Sequence, residues 1–490
     1  MTTAGLEDGP RPGLDAAAAL PVAIRATHED LSQQSIRFLR YALERPEAAR
    51  RVDYRSDAAL PEWMRRYPYE LQPWPTFVGA RKLRQIEQAT VALARLVESI
   101  PERIFGGDPL RLGEFYGWPD ELLMALLLSP PNGLGTCLAR GDFVDDGEDF
   151  KCLELNIGAT IGGWQDRFFA RTCLALPSIA AFLAREGVRV RHRDTWRSAL
   201  TLVLENGCRL GHDAAGRFDV AVAINPGDVD SALAVEASND VFQEVLRDSG
   251  TGCAGEIVRC TYQEGMAGLT ARDGALFHRD RRISAVIEAT DSQTPADVYR
   301  CFKARRVGLY NGPLAKMLGD KRSLALLSQH EDSDLLTAAE RELVRRHLPW
   351  SREVVEGHTT YHGEPVDLLD FALAHRESLV LKAAQGRQGI DVYLGSRTSP
   401  EEWRRRLVEA AGMRTMLLQE YVTSRPYLFQ CGDHGWARHQ AVWGTFSFGG
   451  SYGGAFLRLL PLDRGPEIIN SARGATEGLI FEVDAPPGDL

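Results

Sequence analysis

At 490 residues the chain exceeds what one hydrophobic core organises, so two to three domains are expected, and a net charge of −10 without any basic block argues against a nucleic-acid partner. No apolar run reaches the roughly 18–20 residues needed to span a bilayer, and MTTAGLEDGPRPGLD carries acidic residues where a signal peptide carries basic ones. The eight cysteines form no CxxC pair, so neither a zinc site nor a disulfide framework is indicated, and a cytoplasmic protein without a membrane partner is expected.

Residues 1–28 are rich in Gly, Pro and Ala and read as a disordered tail. Residues 29 to about 130 follow a helical pattern, with one helix in ARKLRQIEQATVALARLVESI (80–100) and a second around PDELLMALLLS. The stretch GDFVDDGEDFKCLELNIGATIGGW (141–164) contains a short strand that runs into glycines. Period-2 geometry puts Glu154 and Asn156 on one face of it, with Leu153 and Leu155 on the other. A carboxylate and an amide held in this way suit a hard cation, and they equally suit the solvent face of an edge strand. Helical runs follow at 166–185 and 193–207. Next come a strand at 218–228, a helix at 230–249 and a strand at 255–262, with a hairpin turn at Asp273-Gly274. These mark a small α/β unit over 216–300. The remainder, 301–490, runs through a helix at 319–329, a strand in HLPWSREV and a helix at 367–376. It continues with SLVLKAAQGRQGIDVYLG, a helix in EEWRRRLVEAA, a strand in TMLLQEYV and glycine-rich segments to the end.

Only six of the 57 basic residues are lysines, and a lysine supplies a compact point charge that arginine does not mimic. Lys382 ends an apolar strand before Gly386 and Gly389, which fits a phosphate-cradling flap or a β-hairpin with a lysine at its exposed end. Gln419, Glu420, Tyr421 and Val422 end the next strand, either as an adenine hinge or as the polar end of a buried strand. Arg140 suits a grip on a carboxylate or phosphate, and equally a structural ion pair. FGGSYGG reads as a lid or a turn, and HTTYHGE as a surface loop.

The ordered series Asp320-Lys321, then LVLK with its glycines, then LLQEYV resembles the ATP-grasp superfamily. Glu-x-Asn lies upstream, at LELNIGATIGG, and ARGDFV precedes it; this arrangement resembles the circularly permuted branch of eukaryotic-type glutathione synthetases and glutathionylspermidine synthetases. The resemblance implies an α/β (α+β) fold of permuted ATP-grasp type. In it, 29–215 would supply N-terminal helices and the metal-binding strands, 216–300 an inserted substrate domain and 301–490 the nucleotide domain. It implies ATP and Mg²⁺ as cofactors, with Lys321, Lys382, Gly386 and Gly389 at the phosphates and residues 419–422 at the adenine. Asp142, Glu154 and Asn156 would be the metal ligands, and Arg140 and Arg458 would act in catalysis. The implied enzyme is an ADP-forming carbon–nitrogen ligase for small carboxylate and amine substrates, acting through an acyl phosphate; a homodimer is left open. A catalytically inactive ATP-binding homologue serving as partner or regulator, and a phosphotransferase, are the alternatives. Three departures bear on the product: Ala383 replaces the usual flap proline, Gly386 replaces a metal-binding Glu, and the terminal Arg-Thr-Lys element is missing. Glutathione is therefore not the expected product.

Overall fold

The computed structural model describes residues 20–45, 54–118, 137–213, 216–262, 268–386, 391–430, 435–465 and 467–484. It is a mixed α/β protein built on three main sheets. The central sheet orders its strands Thr76–Val78, Thr476–Val483, Ser451–Pro461, Trp436–Phe448, Leu138–Asp145 and Phe150–Ile157, with Tyr427–Gln430 and Val190–Arg191 added at the sides. All its pairings are antiparallel except Thr76–Val78 with Thr476–Val483. Trp436–Phe448 is buried along nearly its whole length, so both of its faces are covered. Helix Ala80–Glu98 packs on the face carrying Thr445, where Thr90 Oγ1 donates to Thr445 Oγ1 at 2.8 Å. Phe446 and Phe456 meet helix Thr195–Arg209 through Leu200, Val203 and Leu204.

The second sheet is parallel and orders Gly308–Tyr310, Ala285–Ala289, Val220–Ile224 and Ile257–Cys260. Val220–Ile224 is buried at every position, as VAVAI requires in a sheet covered on both faces. The strand–helix–strand reading holds, with helix Val229–Ser249 between Val220–Ile224 and Ile257–Cys260. The sheet extends past residue 300 because Gly308–Tyr310 pairs with Ala285–Ala289. The third sheet orders Ser351–Glu353, Met416–Glu420, Leu379–Ala383 and Val392–Leu394, all antiparallel. Trp403 and Leu407 of helix Pro400–Met413 back it together with Phe371.

Other expectations change. A helix, Val22–Leu31, begins inside the segment read as a disordered tail, and its Ile24 is buried with Ile36 and Leu39 of helix Gln33–Leu43. The run at 166–185 is two helices, Asp166–Ala175 and Pro177–Glu186, because Pro177 begins a new first turn. FGGSYGG is a hairpin turn: Gly449 and Gly450 take positive φ, and Arg95 Nη2 donates to Gly450 O at 2.7 Å. HTTYHGE forms the hairpin His358–Tyr361 with Glu364–Asp367. PDELLMALLLS and Gly389 lie outside the described residues. Among the described residues no single helix is long and apolar enough to cross a membrane.

Helix Val22–Leu31 is tied down by charge as well as by apolar contact. Lys82 Nζ lies 2.7 Å from both Asp30 Oδ2 and Asp145 Oδ2, and Arg425 Nη1 lies 2.8 Å from Asp30 Oδ2. Burial works against ionisation of Asp30, yet hydrogen bonds from Arg81 and Lys82 and the charge of Arg425 hold its pKa at about 2. A folded-state pKa below the unfolded value of about 3.9 adds stability above that value, and the addition is lost as pH falls from about 4 to about 2. Urea midpoints of the wild type and Asp30→Asn should therefore differ at pH 7 and converge towards pH 2. A constant gap across that window would mean that the charge of Asp30 plays no part.

Candidate functional site

The strand pair Leu138–Asp145 and Phe150–Ile157 sets one wall of a cleft. Asp142 lies opposite Glu154, and Arg140 opposite Asn156, so the 12-residue spacing between the two acids is a cross-strand pairing. The register slips between Asp142 and Phe143, whose partners are Glu154 and Cys152. Leu153 is the extra residue of this bulge. Cys152 and Leu155 consequently both turn into the core, while Leu153, Glu154 and Asn156 all border the cleft. Strict alternation from the sequence had put Leu153 on the opposite face. Phe150–Ile157 is also the last strand of the central sheet, as the edge-strand reading expects, and its polar face borders the cleft.

Asp142 is 6% exposed and fully engaged. Oδ1 accepts from Arg140 Nε at 2.8 Å and lies 2.6 Å from Arg458 Nη2; Oδ2 accepts from Arg140 Nη2 at 3.1 Å and Asn156 Nδ2 at 3.3 Å. Three protein N–H groups donate to this carboxylate, and Arg458 Nη2 pairs with it by charge. Burial alone would raise its pKa, but the Arg140 and Arg458 guanidinium groups hold it down at about 2. Arg140 also donates through Nη1 to Ile161 O. Arg458 is buried and keeps a second nitrogen, Nε, without a hydrogen-bond partner.

The opposite wall comes from the third sheet. Lys382 Nζ donates to Gln419 Oε1 and reaches Leu153 O at 3.4 Å, while Gln419 Nε2 donates to Leu153 O at 3.3 Å and Ser351 Oγ at 3.1 Å. The bulged Leu153 carbonyl is thus a bridge between the two walls. Burial lowers the Lys382 pKa to about 8; Glu154 opposes the shift and Lys321 adds to it. Lys321 Nζ lies 3.3 Å from Glu154 Oε1 and donates to Gly386 O at 2.8 Å, and its backbone N–H donates to Ala384 O at 3.0 Å. These contacts join the flap to the strand that carries Glu154.

Beyond Gln419, the Glu420 N–H donates to Trp350 O at 2.9 Å and the Tyr421 N–H to Ser378 O at 2.8 Å. The Glu420 carboxylate accepts from Tyr361 Oη at 3.0 Å. HTTYHGE therefore abuts the end of the cleft, a relation that its polar composition gave no reason to expect.

Of the residues singled out from the sequence, Arg140, Asp142, Glu154, Asn156, Lys382, Gln419, Glu420, Tyr421, Val422 and Arg458 border one cleft. Lys321 and Gly386 stand at its edge through Glu154. Residues 467–470, Gln440 and Ser424 border it too and were missed. Gln440 is one of the few polar residues in a buried strand.

The residues fit a hard cation in part. Glu154 is partly open with one ammonium beside it, and Asn156 commits its Nδ2 to Asp142, which turns the amide carbonyl away from that acid. Among the described residues no group of three or more His, Cys, Asp or Glu is arranged to hold a metal. Glu154 with the Asn156 carbonyl is a two-ligand set, which suits Mg²⁺ when phosphate and water oxygens complete its octahedron. Asp142 joins that set only by giving up a guanidinium contact. The chain matches no protein-family profile and no curated protein. The functional reading therefore rests on the chemistry of this cleft.

Proposed function

We propose that the chain is a circularly permuted ATP-grasp ligase that joins a small carboxylate to an amine through an acyl phosphate and releases ADP and phosphate. One observation carries the reading: Glu154 and Asn156 face Lys321, Lys382 and the 419–422 strand end, brought from a distant part of the chain, across a single cleft. Lys382 and Lys321 would hold the phosphates as point charges, and Gln419 and the Leu153 carbonyl fix the direction of the Lys382 ammonium. Glu154 and the Asn156 carbonyl would hold Mg²⁺, which when bound offsets phosphate charge. Asp142 aligns Arg140 and Arg458 as a rigid cationic pair for the transferred phosphate and the substrate carboxylate. Val380, Val392, Leu394 and Val442 line the cleft with apolar surface, which limits water that would hydrolyse an acyl phosphate.

The test is ADP release on addition of pooled carboxylic amino acids and amines. Release that needs both partners, with a condensed product by mass spectrometry, supports the ligase; a stable phosphorylated product points to a phosphotransferase. The saturation of Asp142 favours one second reading, an ATP-binding homologue without turnover, which would bind ATP and release no ADP.

Triphosphate affinity should depend on pH through Lys382. With a pKa of about 8, its cationic form is lost as pH rises from about 7 to 9. ATP affinity by fluorescence titration should weaken over this range, displaced somewhat upward because bound phosphate favours the charged lysine. A flat profile to pH 9.5 would remove Lys382 from phosphate binding.

A further inference from the structure

One strand further along the same sheet face lies a second polar cluster that the reading above leaves unused. Glu477 stands directly opposite Arg458 in the antiparallel register, and its charge acts on Arg140. Its carboxylate is buried and accepts from three neutral donors: Tyr67 Oη at 2.6 Å, Ser471 Oγ at 2.7 Å and Gln165 Nε2 at 3.1 Å. The same Gln165 amide leaves its Oε1 buried without a partner, and the adjacent Asp166 leaves Oδ2 in the same condition. Asp166 is 1% exposed. Burial first, then the Glu477 and Asp194 carboxylates, push its pKa well above the usual range. Two buried oxygens, Gln165 Oε1 and Asp166 Oδ2, thus stand near the Glu477 carboxylate without a donor. An aromatic wall stands beside it: Trp164 is edge-on to Tyr67 at 5.9 Å and stacked on Trp63 at 5.3 Å.

We propose that Glu477, Asp166 and Gln165, walled by Trp164 and Tyr67, form a binding site for the ammonium group of the amine substrate. An ammonium brings three N–H donors for oxygen acceptors and a charge that aromatic faces attract, whereas a hard metal ion gains nothing from the rings. The register places the cluster one strand spacing, about 5 Å, from the strand that bears Arg458. An amine held there lies beside the position assigned to the activated carboxylate. The assignment of the ammonium to a reacting substrate rests on the ligase reading; the site itself does not.

The test is ligand-observed NMR titration of the full chain with n-butylamine at pH 7.5, beside n-butanol as its uncharged counterpart and Mg²⁺ as a competitor. The amine should saturate and the alcohol should not. Glu477→Gln and Asp166→Asn should each weaken the amine at least tenfold. Trp164→Leu, a change at a half-buried residue, should weaken it several-fold and keeps the test open if the buried variants fail to fold. Amine and alcohol titrating alike, displacement of the amine by millimolar Mg²⁺, or variants within twofold of wild type would overturn the site. ATP titrations on the same samples separate the two claims: amine binding with no ATP binding would contradict the ligase and leave the ammonium site standing.

Discussion

Glu154→Gln should reduce ADP release by about 10²–10³-fold while leaving the melting temperature close to wild type. The substitution keeps the shape of the side chain and removes the partly open carboxylate beside Lys321. Two effects follow from the same change. The pair proposed to hold Mg²⁺ loses its charge, and Lys321 loses its partner at 3.3 Å. Stability changes little because the Lys321 ammonium keeps the Gly386 carbonyl at 2.8 Å. Steady-state ADP assays with a Mg²⁺ titration separate the effects: a metal role raises the Mg²⁺ concentration needed for half-maximal rate, and a purely structural pair does not. Unchanged turnover would remove this strand from the mechanism.

Asp142→Asn should behave in the opposite way, with a loss of stability of about 3 kcal/mol. The carboxylate is buried between two guanidinium groups, and its neutral replacement leaves two cations facing each other without their shared anion. Urea unfolding measures the loss, and Arg458→Met in the Asp142→Asn background should recover part of it, since the two changes share one interaction. A metal-ligand role for Asp142 makes a different prediction: Mg²⁺ affinity would fall and stability would hold. That outcome would restore the three-ligand set expected from the family resemblance.

The contrast between these two acids shows where the sequence is legible. Asp142 and Glu154 were brought together only by what the family resemblance implies, and the register of the two strands is what sets them opposite each other. What Asp142 does was not legible, because its occupancy depends on Arg458, which arrives from a strand two places away in the sheet. The flap strand around Lys382 and the strand Met416–Glu420 were readable from apolar runs bounded by glycine or polar residues, and they pair as neighbours. Leu153 was misplaced because a bulge adds one residue and breaks the period of two, and nothing local in KCLELN marks it. Helix Val22–Leu31 was missed because Asp30 and His28 are satisfied by distant partners, Lys82 and the Leu428 N–H. The end of the small parallel sheet was missed because Gly308–Tyr310 is too short to announce itself.

The lysine pair and the Glu-x-Asn strand are proposed to form the two halves of one nucleotide site, where nucleotide binding is coupled to ligation. The most direct measurement is ADP release by the wild-type chain with ATP and Mg²⁺, in the presence of a carboxylate alone, an amine alone, and both. The account predicts release only with both, matched mole for mole by a condensed amide product in the mass spectrum. Failure to bind ATP, or equal release with neither substrate present, would contradict it.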